Sequence, residues 1–179
     1  MQRGMKRMVE DQENVFYYIT LLNENYPMPG LTEGTEEQII KGMYLFKAGG
    51  KKKQRVQLLG SGTILRESLF AQELLEADWG VSADVWSCPS FNELARDGHD
   101  ADRWNLLHPT DTQRVSFVAQ QLSKSTGPVV ASTDYIKSFA EQIRPFIPKD
   151  RTYKVLGTDG FGRSDFRGKL REHFEVNRH

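Results

Sequence analysis

Cysteine is nearly absent from this 179-residue chain, which carries Cys88 and no second cysteine. A single thiol cannot form an internal disulfide, whereas small secreted domains commonly depend on disulfides for their stability. The sequence therefore favours a reducing compartment, and we expect a cytoplasmic protein.

The chain also lacks long apolar runs and an excess of charge of either sign. Its longest apolar stretches, such as residues 15–18, have the length of a strand, whereas a membrane span needs about 20 apolar residues. Lysine and arginine together number 24, as do aspartate and glutamate, so the formal net charge is zero. Since nucleic-acid binding by counterion release needs a basic surface, we expect neither a nucleic-acid partner nor a membrane partner.

Metal-ligand spacings and catalytic arrangements are missing too. The four histidines, His99, His108, His173 and His179, form no pair at the spacing of a zinc site, and Cys88 has no cysteine neighbour. No nucleophile, base and orienting acid can be assembled from spacing alone. We therefore expect no metal site, and the residues identify no catalytic group.

The first nine residues have an amphipathic pattern that superficially resembles a targeting peptide. Transit peptides are poor in acidic residues, however, and here Glu10, Asp11 and Glu13 follow at once. The pattern therefore predicts an ordinary surface helix, followed by a strand over residues 15–20.

Apolar runs of strand length alternate with helical patterns in the rest of the chain. Four strands are expected within residues 56–59, 83–86, 128–131 and 153–156. Strands that alternate with helices bury both faces of their sheet only when helices cover both faces. The pattern predicts an α/β domain of three layers with a mainly parallel sheet.

Capping residues and glycines predict where several helices begin and end. The capping boxes Thr35-x-x-Gln38 and Ser90-x-x-Glu93 predict helices over about 35–46 and 90–98, the second closed by a left-handed Gly98. An acidic or hydroxyl side chain is expected to cap three more helices, at Asp100, at Asp134 and at Ser164 or Asp165.

The turn Gly60-Ser61-Gly62 follows a predicted strand and opens a helix, as a dinucleotide-binding fingerprint does. Asp84, on a later strand, would be the acidic residue of that fingerprint. The third glycine is missing, because Leu65 stands in its place. A tight turn between strand and helix explains the same residues, and this is the interpretation we favour.

The loop between the last predicted strand and the last predicted helix is rich in glycine and carries one arginine. Its glycines give the backbone freedom, its arginine offers a fork for phosphate or carboxylate, and the helix terminus after it favours anions. The loop is therefore a candidate for binding an anion or contacting another subunit. The alternative is that its polar residues only form turns, caps and ion pairs. The candidate residues are Asp159, Gly160, Phe161, Gly162, Arg163 and Ser164.

Several longer motifs, in order along the chain, point to one family. They are QENVFYYIT at 12–20, NENYPMP at 23–29, QLLGSG at 57–62, SFNELARDG at 90–98, WNLLHP at 104–109, ASTDY at 131–135 and GTDGFGRSD at 157–165. Together they resemble the bacterial, homodimeric type of pyruvate dehydrogenase, the thiamine diphosphate-dependent decarboxylating component of the pyruvate dehydrogenase complex.

The resemblance implies a segment of a protein that is several times longer and has three α/β domains. Residues 1–44 would be the tail of the middle, aminopyrimidine-binding domain. Residues 45–179 would be a carboxy-terminal domain like that of transketolase, without its last part. The full protein would bind thiamine diphosphate and magnesium. This segment lacks the family's cofactor motif and its activating glutamate, so it would bind neither and would carry no catalytic residue.

The resemblance also implies a function and a set of partners. The full chain would convert pyruvate to carbon dioxide and an acetyl group that passes to the lipoyl arm of the dihydrolipoyl acetyltransferase core. This segment would be structural, in contact with the remainder of its own chain and with a second identical subunit. Two other classes stay open, a free-standing protein-interaction module and a nucleotide-dependent oxidoreductase that uses the turn at 60–62.

Overall fold

The amino-terminal part of the chain is helical, as the sequence predicts. In the computed structural model, which describes residues 1–22, 24–27 and 29–179, the chain divides into two units, Met1–Leu31 and Thr32–His179. The first unit begins with α1 (Gln2–Met5), which continues as a π-helical stretch over Lys6–Glu10. The surface helix predicted for the first nine residues is therefore confirmed.

Tyr17 packs its ring against this helical segment. A Cβ built on Gly4 would lie only 3.0 Å from Cδ2 of Tyr17, so the glycine makes room for the ring. Arg7 donates from Nη1 to the Tyr17 hydroxyl at 2.9 Å and pairs with the Glu13 carboxylate at 2.5 Å. The strand predicted over residues 15–20 is wrong, because no strand among the described residues pairs with them and their backbone has no ladder to join.

A five-stranded sheet forms the centre of the second unit. Its strands are β1 (Tyr44–Lys47), β2 (Arg55–Gly60), β3 (Ser82–Ser87), β4 (Val129–Ser132) and β5 (Tyr153–Leu156). Their spatial order is β1-β3-β2-β4-β5, with β1 antiparallel to β3 and every other pair parallel. In register, Leu58 of β2 lies between Val85 of β3 and Val130 of β4. The four predicted strands and the mainly parallel sheet are confirmed.

Helices cover both faces of this sheet and complete the three layers. They are α2 (Glu36–Ile40), α3 (Ile64–Asp78), α4 (Phe91–Leu107), α5 (Phe117–Leu122), α6 (Ser138–Glu141) and α7 (Arg167–His173), with a 3-10 turn at Arg144–Phe146. Helix α3 packs its leucines on the face that includes Leu58 and Val85. Helices α4, α5 and α6 pack on the opposite face, which includes Leu59, Val129 and Val155. The predicted three-layer α/β class is confirmed. In the described part of the chain, no helix has the length and apolar character that crossing a membrane would require.

Gly42 redirects the chain earlier than the sequence predicts. Its φ of +101° belongs to the left-handed region, and a Cβ there would lie 2.6 Å from the carbonyl oxygen of Ser90. The helix predicted over 35–46 therefore stops at Ile40, and the residues after the turn form β1. Thr35 makes no side-chain cap, since its hydroxyl donates to the carbonyl oxygen of Thr32 instead.

Helix α4 is longer than predicted. Ser90 caps it as expected, because its Oγ accepts the N–H of Glu93 at 3.1 Å. The helix then runs through Gly98 to Leu107, so the predicted end at Gly98 and the predicted cap at Asp100 are both wrong. A Cβ on Gly98 would lie 2.4 Å from the ring of Phe146. This glycine is required for close packing and not for a turn.

The predicted caps at Asp134 and at Ser164 or Asp165 are wrong as well. Helix α6 starts at Ser138 without a side-chain cap from Asp134, and Oδ1 of Asp159 accepts the N–H of Lys137, the residue before the helix, at 2.9 Å. Helix α7 starts at Arg167 without a side-chain cap, while Asp165 accepts the N–H of the next residue in the chain. At α6, Asp159 therefore accepts a backbone N–H beside the helix start, where the sequence predicts Asp134.

We expect Gly98→Ala to lower the free energy of unfolding by about 1–3 kcal/mol, the usual cost of overpacking a core. The ring of Phe146 is buried and cannot withdraw from an added methyl group. Urea denaturation monitored by circular dichroism measures the effect.

Gly168→Ala is the matched control, because Gly168 also lies inside a helix and the space beside it is open. The control is expected to raise stability by up to about 1 kcal/mol, through helix propensity alone. Equal effects of the two substitutions would contradict the packing role of Gly98.

Candidate functional site

A cavity of about 360 Å³ opens at the carboxyl-terminal edge of the sheet. Its wall includes Thr63 after β2, Asp134 after β4 and Thr158 after β5. From β2 the chain passes to β3 on one side and then returns to β4 on the other, so strand order reverses beside β2. In open α/β sheets, ligands commonly bind outside the carboxyl ends of strands at such a reversal.

The opposite wall of the cavity comes from the glycine-rich loop and from the segment of α7. The loop contributes Gly160, Gly162 and Arg163, and Gly160 takes a positive φ of +84°. The residues contributed by the helix and the turn after it are Arg167, Leu170, Arg171, Phe174 and Val176. Three arginines and one aspartate therefore line this cavity.

The six predicted site residues divide between the cavity wall and the outer surface. Gly160, Gly162 and Arg163 line the cavity. Asp159 instead anchors the loop, since its Oδ1 accepts the N–H of Lys137 and its Oδ2 lies 3.5 Å from Nζ of the same lysine. Phe161 and Ser164 are exposed, with 91% of Phe161 accessible to solvent.

Arg167 and Arg171 belong to the cavity and were not predicted. Arg167 and Arg171 are four residues apart, a spacing that places both on the same face of α7, whereas Arg163 lies in the loop before the helix. That spacing is the signal in the sequence that could have identified them. Thr63 and Asp134 are separated by 71 residues, and only the parallel pairing of β2 and β4 brings them together.

Glu67 of α3 pairs with two arginines of the last nine residues of the chain. Its side chain is only 8% exposed, and its Oε1 accepts from Nη1 of Arg171 at 3.3 Å. Arg178 donates from Nε to Oε2 of the same carboxylate at 3.0 Å, and its guanidinium carbon lies 3.8 Å from the ring centroid of Phe70. Glu67 therefore fixes one arginine of the cavity wall.

Reactive side chains outside the cavity have structural surroundings. Burial raises the pKa of the Cys88 thiol, which is therefore protonated at neutral pH and a poor nucleophile. His108 stacks on Trp104 with ring centroids 4.4 Å apart, and His99 meets the ring of Phe146 edge-on. Across residues 1–22, 24–27 and 29–179, no group of three or more histidine, cysteine or acidic residues could hold a metal ion.

Comparison with protein families gives two matches, one in each unit of the structure. The sequence profile described as the transketolase-like TK C-terminal domain matches residues 42–177. The chain belongs to the transketolase-like C-terminal domain family. A second profile, described as the pyruvate dehydrogenase E1 component middle domain, matches residues 1–29.

Curated relatives of this transketolase-like chain bear the name pyruvate dehydrogenase E1 component. The protein from Cupriavidus necator is 60% identical over 181 residues, and that from Escherichia coli K12 is 57% identical over 178 residues. The alignments cover 100% and 99% of this chain but 20% of each relative, so the chain spans about a fifth of the relatives' length. The resemblance predicted from the sequence motifs is confirmed.

The solved structures confirm the transketolase-like fold. Transketolase from Pichia stipitis superimposes with a TM-score of 0.51 at 18% sequence identity, over 84% of this chain and 18% of the transketolase chain. At this identity the similarity establishes the fold alone.

In this transketolase-like domain, the turn Gly60-Ser61-Gly62 serves helix packing. A Cβ on Gly60 would lie 2.7 Å from Cα of Leu65, so the first glycine provides the close approach of strand and helix that a dinucleotide fingerprint assigns to its third. Asp84, the acidic residue of that interpretation, is 8% exposed, lies within β3 opposite Gln57 and is not part of the cavity wall.

Asp84 is held by donors from three directions. Oδ1 accepts the N–H of Gly49 at 2.9 Å and Nη1 of Arg55 at 2.6 Å, and Oδ2 accepts Nε2 of Gln57 at 2.9 Å. Burial raises the pKa of this carboxyl, but the three hydrogen bonds and the charge of Arg55 outweigh burial and leave the pKa below its ordinary value. Gln57 in turn accepts from Nε1 of Trp86 at 2.8 Å, so the network is built into the sheet.

We expect Asp84→Asn to destabilise the domain by about 2–3 kcal/mol at neutral pH. The amide keeps one acceptor oxygen, its NH₂ group faces a hydrogen-bond donor of the network, and the negative charge beside Arg55 is lost. A lowered folded-state pKa means that the carboxylate stabilises the fold above its unfolded pKa of 3.8, and that this stability is lost as the pH falls through the still lower folded value.

The measurement is urea denaturation between pH 3 and pH 7 for both proteins. The stability difference between wild type and Asp84→Asn is expected to be constant at higher pH and to shrink in the acid range. A difference that persists unchanged at the acid end would contradict the charged role of Asp84.

Proposed function

We propose that the chain acts as the carboxy-terminal part of a pyruvate dehydrogenase E1 component. The single observation that carries the proposal is the identity of 57–60% to such proteins over essentially the whole chain. The parent enzyme would decarboxylate pyruvate in the cytoplasm with thiamine diphosphate and magnesium. It would pass the acetyl group to the lipoyl arm of the dihydrolipoyl acetyltransferase core.

The division of residues into parent domains is part of the same proposal. Residues 1–44 would end the middle domain and residues 45–179 would form most of the carboxy-terminal domain. Matches of the middle-domain profile to 1–29 and of the transketolase-like profile to 42–177 support a boundary in this region.

Within the parent enzyme, this chain would have a structural role and no catalytic one. We infer that this cavity does not hold thiamine diphosphate with its magnesium ion, which carboxylate, phosphate and water oxygens would have to surround. Among the residues that the structure describes, Asp134 is the one carboxylate that lines the cavity, and the three arginines there would repel the cation. We assign the catalytic residues to the part of the parent protein outside this chain.

The outer side of the glycine-rich loop would contact the remainder of the parent chain or a second identical subunit. Phe161 and Phe166 are 91% and 85% exposed, and they lie on either side of the arginine that enters the cavity wall. Exposed apolar side chains that form a patch commonly mark protein contacts, and these two rings belong to one short loop. In the parent homodimer, we expect both rings to be covered.

We expect the 179-residue chain to show no saturable, magnesium-dependent binding of thiamine diphosphate and no release of carbon dioxide from pyruvate. Isothermal titration calorimetry with and without magnesium measures the first, and a coupled carbon dioxide assay measures the second. Stoichiometric binding that requires magnesium would overturn the assignment of the cofactor site to the rest of the parent.

We expect Phe161→Ala to weaken the full-length parent protein while leaving the 179-residue chain unchanged. In the isolated chain, an exposed side chain far from packed contacts contributes within about 0.5 kcal/mol, which urea denaturation checks. In the full-length protein, loss of a buried aromatic contact should lower the thermal midpoint or shift the dimer toward monomer in analytical ultracentrifugation. Equal stability of the full-length pair would contradict the contact role of the loop.

A further inference from the structure

We propose that the cavity at the carboxyl-terminal edge of the sheet binds a small phosphate monoester whose remaining part carries hydroxyl groups. The proposal rests on the residues that line the cavity, and it does not depend on the activity of the parent protein. Four features of the wall carry it.

The first feature is an excess of positive charge on one side of the cavity. Arg163, Arg167 and Arg171 all line it, and the planar guanidinium group donates paired hydrogen bonds that match phosphate oxygens. Glu67 pairs with Arg171 and Arg178, and Arg167 and Arg171 have further partners, so the charge most available to a ligand is that of Arg163. The wall therefore attracts an anion.

The second feature is the availability of Arg163. This side chain is exposed, and among the described residues it has no hydrogen-bond or ion-pair partner. The sequence allows Arg163 either to bind an anion or to pair with a neighbouring acid, and the described residues contain no such pair. Its donors remain available to a ligand that enters the cavity.

The third feature is the pair of glycines in the loop wall. A Cβ on Gly160 or Gly162 would meet nothing within 4 Å, so packing inside the domain does not require either glycine. Gly160 is explained by its positive φ, whereas Gly162 has no such conformation. Because Gly162 has no side chain, a ligand can approach its backbone closely. Glycine commonly has this role in loops that bind phosphate.

The fourth feature is a poorly satisfied polar pair on the other side of the cavity. Thr63 is only 5% exposed, and its hydroxyl lies 3.4 Å from Oδ2 of Asp134, longer than the usual O–H···O distance of about 2.5–3.0 Å. A ligand hydroxyl could donate to Asp134 at a normal distance. A phosphate group could not use this carboxylate, because both are negatively charged.

These two sides of the cavity require different groups of one ligand. The arginine side takes the phosphate, and the side of Thr63 and Asp134 takes a hydroxyl. The volume of about 360 Å³ lies near the lower end of small-molecule sites, so the ligand is of the size of a short phosphorylated polyol.

The test is isothermal titration of the 179-residue chain with glycerol 3-phosphate, inorganic phosphate and glycerol at constant ionic strength. We expect one site for glycerol 3-phosphate with a dissociation constant below about 10 mM, weaker binding of inorganic phosphate and no binding of glycerol. Amide resonances of Gly160 and Gly162 should shift with the same saturation curve. Absence of saturable glycerol 3-phosphate binding in this range overturns the proposal.

Two variants assign the binding to the cavity. Arg163→Ala is expected to weaken glycerol 3-phosphate binding about tenfold, as loss of a charge-assisted contact would. Asp134→Asn is expected to reduce the preference for glycerol 3-phosphate over inorganic phosphate. Arg163 is exposed and Asp134 is half-buried, and circular dichroism melts verify that each variant remains folded.

Arg103→Ala is the matched control, because Arg103 is an exposed arginine on α4 and not part of the cavity wall. It is expected to bind glycerol 3-phosphate like the wild type. Equal weakening by Arg103→Ala and Arg163→Ala would show attraction by overall charge, and the proposed site would then be wrong.

Discussion

The second unit depends on the parallel pairing of β2 with β3 on one edge and with β4 on the other. From Val56 to Gly60 every residue of this strand is buried, so helices must cover both faces of the sheet there. Parallel strands also end at a common edge. Thr63, Asp134 and Thr158 follow three different strands and meet at that edge for this reason, although no local sequence feature connects them.

The register of β2 is fixed by polar groups as well as by apolar ones. Gln57 is fully buried, and it reaches both Asp84 and Trp86 of the neighbouring β3. A slip of one residue would turn Gln57 to the face that α3 covers and would leave the Asp84 carboxylate without one of its donors. Because a buried carboxylate that loses a hydrogen-bond donor destabilises the fold, this network favours one register.

The sequence predicted the sheet well and the helix boundaries less well, for a physical reason. Strand composition and the alternation of strands with helices depend on burial, which local patterns record faithfully. Caps and glycines are ambiguous, because the same residue serves several purposes. The sequence predicts that Gly98 ends a helix, whereas in the structure the missing side chain makes room for the ring of Phe146. The contacts that decide such cases come from residues far away in the chain.

The candidate site could also be predicted only in part from the sequence. A formal net charge of zero describes the chain as a whole, and it bears on partners that need a broad charged surface, such as nucleic acid. It says little about a small cavity. Arg163 of the loop and Arg167 and Arg171 of α7 gather positive charge at one place, while Glu67 pairs Arg171 with α3. A balanced composition is therefore compatible with a strongly uneven local field, and the spacing of like charges along a helix is the better guide to it.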